Sequence, residues 1–238
     1  MGKIFRYECR RLLWNKFFIG LAVVLLLYGV FVLHAVTILG VAHTAPFSPW
    51  SFGDYLSRMM PLLWLGMLFF LTFYTSPQAR RAAILMDATP IPPKQYALAR
   101  CAAALTGGAL LTLLCMVEAA VFYGRMFHWY SWGSLLLPAL VTLLPTLVFA
   151  LGSGWLAGQI RPWLVYVWMA VPFLLAALPL PEALGLWNGS FFTAYPLTLE
   201  TLDPVFVVPV GVTVVQVVLL AAGTVLLILG SNRRKVMR

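Results

Sequence analysis

The chain has 238 residues, of which 62 % are hydrophobic and 10 % charged, with a mean hydropathy of +0.93 and a formal net charge of +9. Soluble domains carry roughly 25 % charged residues, so this chain has too few polar residues to cover a water-soluble core. Its apolar residues fall in runs of about 20, the length that crosses a ~30 Å hydrocarbon layer, and the composition predicts an all-α integral membrane protein.

Residues 2–16 carry Phe5, Cys9, Leu12 and Leu13 at i, i+4, i+7 and i+8, with Lys3, Arg6, Tyr7 and Arg10 on another face. That spacing predicts an amphipathic helix lying in the membrane interface; the alternative is a positive flank with no fixed structure. The apolar run that follows, about 23 residues, is too long for the 7–15-residue core of a cleaved signal peptide. Six spans follow in order: Phe17–Leu39, Tyr55–Thr75, Gln95–Tyr123, Ser134–Ala157, Trp163–Leu180 and Val205–Gly230. Loops fall at 40–54, 76–94, 124–133, 158–162 and 181–204, and a basic tail occupies 231–238. The loop at 181–204, rich in aromatic residues and prolines, predicts a short structured cap or a re-entrant segment.

The charges predict the orientation. With the N-terminus in the cytoplasm, every one of the 16 basic residues except Arg58 and Arg125 lies on the inner side, while Asp54, Glu182, Glu200 and Asp203 lie outside. An odd number of spans would put the Arg233–Arg234–Lys235 tail on the wrong side. The excess positive charge is then a topology signal, with attraction to anionic lipid heads as a second effect, and no nucleic-acid partner is expected.

Pro61, Pro138, Pro145, Pro172 and Pro209 fall within the spans, and the carbonyls they free need partners in neighbouring helices or water. Ala99, Ala103 and Gly107, with Ala104 and Gly108 beside them, recur every four residues in the third span, and Gly154 and Gly158 do so in the fourth. Small residues at this spacing let helices approach closely.

The stretch from Tyr74 to Arg100 differs from both flanking spans. Ser76 suits an N-cap and Pro77 the first helical position. Ala79, Ala82, Ala83 and Met86 share one face, Arg80, Arg81 and Asp87 point elsewhere, and Pro90, Pro92 and Pro93 stop the helix and stiffen its exit. The result is a cytoplasmic helix of about 12 residues, ~18 Å long, within a connection at 76–94. A generic basic loop is the plainer alternative.

The order of elements, ending in "TPIPPKQYALAR", resembles the membrane subunit of an ABC transporter of the type-two exporter family. The resemblance spans the full length in topology, although its motif covers only about 25 residues. It implies one permease domain over 1–238, half of an export pathway in a plasma membrane of bacterial type, with both termini cytoplasmic. It also implies a second permease chain, identical or paralogous, and membrane lipid around the pair. Arg80, Arg81, Met86, Asp87, Thr89 and Pro90 would couple to a separate ATP-binding subunit, and Lys94 or Arg100 would be the basic residue near the start of the third span. Many members carry an acid beside the arginine and a Gly-Thr soon after; Gln78 and Ala82–Ala83 stand there instead, which leaves the subfamily and its substrate open. None of the four lysines follows the glycine pattern of a phosphate-binding loop, so ATP and Mg are expected on the partner, with no cofactor and no catalysis on this chain.

Glu118 is the acid set within a span, and an intramembrane carboxylate is a functional candidate. It either pairs with Arg125 or reaches interfacial water, or it serves a pathway or gate. Asp54 and Arg58, at i and i+4, predict a local ion pair. His34, His43 and His128 lie toward the outside, and Cys9, Cys101 and Cys115 match no metal or redox spacing. Competing classes are a six-span membrane enzyme, a proton-coupled carrier and a non-transporting scaffold or immunity protein. A serine protease is disfavoured because Leu151 stands two residues before Ser153 and no histidine lies in the last span.

Overall fold

The computed structural model describes residues 2–75, 93–199 and 201–232, and among them every regular element is helical. The helices are α1 (Gly2–Leu13), α2 (Lys16–Ala35), α3 (Pro49–Thr75), α4 (Pro93–Phe127), α5 (Gly133–Ile160), α6 (Pro162–Ala177), α7 (Ser190–Ala194) and α8 (Val210–Asn232). Five stretches, in α2 with its 3-10 extension, α3, α4, α5 and α8, are long and apolar enough to cross a membrane. The chain is built as an all-helical membrane protein.

The amphipathic segment is a helix over Gly2–Leu13 that buries Glu8 and Leu12 and half-buries Phe5 and Cys9. It ends because Asn15 caps the next helix, its side-chain oxygen accepting from the Phe17 amide at 3.1 Å. That cap separates the amphipathic α1 from the long apolar α2.

α3 begins at Pro49, six residues before the expected start. Ser48 caps it, its hydroxyl accepting from the Ser51 amide at 3.2 Å, and Pro49 fills the first position, where no amide donor is needed. The last two apolar segments start late or stop early for one reason: the residue before a proline avoids the helical region. Leu178, before Pro179, is extended (φ −91°, ψ 146°), so α6 stops at Ala177 with 16 residues, ~24 Å at 1.5 Å per residue, short of a full span by length alone. Residues 204–209 are likewise irregular, so Pro209 precedes α8 and does not kink it. Pro61, Pro138, Pro145 and Pro172 lie inside helices as expected.

α3 and α5 form the centre. Of their most apolar stretches 67 % is buried, against 22 % in α2 and 17 % in α8, which lie at the periphery of the bundle. α3 packs on α2, α4, α5 and α6, and α8 lies along α5. The small-residue stripes set these approaches. Gly107 and Gly108 of α4 receive Phe70 and Met67, Gly154 of α5 receives Leu68, and Gly158 receives Thr75. α5 and α8 touch backbone to backbone, with Gly152 against the Gly223 carbonyl and Gly223 against Phe149. Without a hydrophobic drive between helices in lipid, such close van der Waals contact supplies much of the association energy.

The loop after α6 is a cap. It runs through two 3-10 turns, Glu182–Leu184 and Tyr195–Leu199, with α7 between them. Trp50 of α3 lies among Phe191, Tyr195 and Phe206, with its indole donating to the Pro204 carbonyl at 2.8 Å. Gly53 leaves room for the Phe192 ring.

Candidate functional site

One end of the bundle gathers α1, the end of α3 and the start of α4. Glu8 and Arg100, 0 % and 2 % exposed, meet there. Arg100 Nε donates to Glu8 Oε1 at 3.4 Å, the Tyr96 hydroxyl donates to the same oxygen at 2.9 Å, and Arg100 Nη2 donates to the Tyr96 hydroxyl at 2.9 Å. The guanidinium lies 4.1 Å from the Tyr96 ring centre and 5.2 Å from that of Tyr74. Two aromatic faces and one carboxylate thus neutralise a buried cation. α4 supplies Tyr96 and Arg100 four residues apart, hence on one face.

Glu8 Oε2 also has a 3.9 Å ion pair with the half-exposed Arg11. Among the described residues, the buried Arg100 Nη1 and Tyr74 hydroxyl have no hydrogen-bond partner. The adjacent Cys9 thiol is pushed above its usual range by burial, with Thr106 of α4 beside it and the Glu8 charge adding to the shift, so it remains a protonated packing group.

Sequence reasoning flagged Arg100 but missed Glu8, Tyr74 and Tyr96. The signal was present: Glu8 stands between Phe5, Cys9 and Leu12 on the apolar face of a basic helix. An acid there requires a buried partner. Arg80, Arg81, Met86, Asp87, Thr89 and Pro90 lie outside the described residues. The connection that carries them leaves α3 one residue beyond Tyr74 and enters α4 three residues before Tyr96, at the cluster.

Glu118 is half-buried on the face of α4 toward α2 and α3. Its Oε2 accepts from the Tyr55 hydroxyl at 3.3 Å, and that hydroxyl also lies 3.2 Å from the Cys115 carbonyl. Gly29 of α2 abuts the carboxylate and has no room for a Cβ. Among the described residues Oε1 has no hydrogen-bond partner and Glu118 forms no ion pair, so Tyr55 stands where Arg125 was expected. Asp54 and Arg58 do pair, with Nε 2.8 Å from Oδ2. Ser153 bonds within the bundle, donating to the Phe149 carbonyl at 2.5 Å and accepting from the Trp168 indole at 2.8 Å.

Fold and site define an all-helical membrane protein whose N-terminal amphipathic helix is joined to the long apolar helix α4 by a buried ion pair. No family model, no curated protein and no solved structure matches the chain.

Proposed function

We propose that this chain is the transmembrane subunit of an ATP-driven exporter of the type-two ABC family, embedded in a bacterial plasma membrane with both termini cytoplasmic. A separate ATP-binding subunit supplies ATP and Mg chemistry, and a second permease chain completes the pathway. The observation that carries the reading is the Glu8–Arg100–Tyr96 clamp at the mouth of the 76–92 connection. It ties α1 to α4 at the place where a partner pushing on that connection would act. A displacement there moves α1, α3 and α4 as one body, because a buried charge pair resists separation in a low-dielectric site.

Six spans require α6 to cross. Its 16 helical residues are followed by extended chain at Leu178, whose carbonyl accepts from the Asn188 side chain at 3.1 Å. Three extended residues add ~10 Å to the ~24 Å of helix, enough to cross a ~30 Å layer with the exposed non-helical end at the interface. Glu118, set between α2, α3 and α4, is then the candidate for a pathway or gating role.

The test is co-purification. Arg80→Glu combined with Arg81→Glu should cut recovery of the ATP-binding subunit at least tenfold while membrane insertion stays normal. Undiminished recovery rejects the coupling assignment.

A further inference from the structure

We propose that the cleft between α2, α3 and α6 is a binding site for a membrane phospholipid, with the lipid phosphate on Arg58 and one acyl chain along the cleft. α2 and α6 each pack on α3 but make little contact with each other. The gap between them is a cavity of about 460 Å³, within the ~300–1,000 Å³ range of small-molecule sites. Its floor is one face of α3, formed by Ser57, Arg58, Pro61 and Leu62; Val24 and Tyr28 form one wall, and Phe173 and Ala176 the other. Trp187 and Asn188 close the end, and the bond from Asn188 to the Leu178 carbonyl fixes that closure over α6.

The polar groups sit at one depth. Arg58 is 17 residues from Thr75, ~25 Å along the helix. Measured from the end of the bundle where α1 lies, this is near the opposite face of a ~30 Å hydrocarbon layer. A guanidinium there reaches phosphate depth with its stem on apolar wall. Asp54 holds only Nε, at 2.8 Å, and fixes the fork in place. The Asp54 carboxylate is 2 % exposed and does not line the cleft, whereas the Arg58 side chain is 40 % exposed. Among the described residues the two terminal nitrogens make no hydrogen bond or ion pair, and with Arg58 lining the cleft they form the fork that suits two phosphate oxygens. Pro61 adds a second polar feature: it has no amide hydrogen, so the Ser57 carbonyl at the cleft floor lacks its helical donor. A headgroup hydroxyl or ammonium beside the phosphate supplies that donor. Donor fork, stranded acceptor and apolar channel together match a phosphodiester with an alkyl chain.

The cleft involves neither 76–92 nor ATP, so lipid binding and coupling can fail independently. The experiment uses the full chain in nanodiscs doped with phosphatidylglycerol bearing a diazirine near the end of one acyl chain. Photolabelling should map to peptides containing Tyr28 and Phe173. Arg58→Gln with Asp54→Asn, which leaves no buried charge, should lower the yield at least fivefold. Ala176→Trp, at an exposed wall position, should block labelling by filling the channel while Arg58 stays intact. The same diazirine on diacylglycerol should label those peptides at background, and millimolar glycerol phosphate should not compete. Equal labelling by diacylglycerol, an unchanged yield in either variant, or full competition by glycerol phosphate would overturn the assignment.

Discussion

The clamp makes a quantitative demand on Arg100→Met. At 3.4 Å and an effective dielectric constant near 20, the Glu8–Arg100 attraction is roughly 5 kcal/mol. Most of it is offset by the cost of taking both charges out of water. Removing only the arginine leaves the carboxylate buried, with the Tyr96 hydroxyl donating to it, at a cost of about 3–5 kcal/mol. The cheapest escape is local. α1 undocks from α4 and returns Glu8 to water, while the rest of the bundle stays folded. A cysteine placed at Leu12, which is 2 % exposed in the docked helix, reports that opening in a chain with its native cysteines replaced. Since ~1.4 kcal/mol is tenfold, maleimide should label Cys at position 12 about 100-fold faster in Arg100→Met than in the same chain with Arg100. Adding Glu8→Leu should return most of the protection, because desolvation offsets most of the attraction and the pair contributes little net stability. Labelling within twofold of the parent in Arg100→Met, or a double variant that opens as much as the two singles combined, would refute this account of α1.

Three further outcomes follow from the packing. Gly223→Leu should drive α8 off α5, because even a Cβ there would lie 2.8 Å from the Phe149 backbone. Overpacking of this kind costs about 1–3 kcal/mol or more, so the apparent unfolding temperature in detergent should fall, while Gly211→Ala, with open space around it, should leave it unchanged. Tyr55→Phe should destabilise by about 1–3 kcal/mol by stripping the Glu118 carboxylate of its side-chain donor. Adding Glu118→Leu should recover most of that loss in the same melt. Trp50→Phe should remove the donor to the Pro204 carbonyl, a loss of about 1 kcal/mol, read as a drop of about 2–4 °C.

Much of the fold was legible because its causes are local. The apolar runs, the face of α1 bearing Phe5, Cys9 and Leu12, the four-residue stripe through Ala103 and Gly107, and the Asp54–Arg58 pair all follow from helical periodicity. The early start of α3 was also legible: Ser48–Pro49 carries the same cap signal read at Ser76–Pro77. The early end of α6 was written in Leu178–Pro179.

What the sequence by itself determined is that the chain crosses a membrane as helices, with a basic amphipathic segment ahead of them, since hydropathy and spacing act within one turn or one span. Only the tertiary structure decided which distant groups meet. Glu8 and Arg100 lie 92 positions apart, and Tyr55 and Glu118 lie 63 apart. Periodicity assigns a residue to a face but not that face to a partner. The joining of α1 to α4, and of Tyr55 to Glu118, comes from close packing of helices whose mutual order the local pattern does not encode.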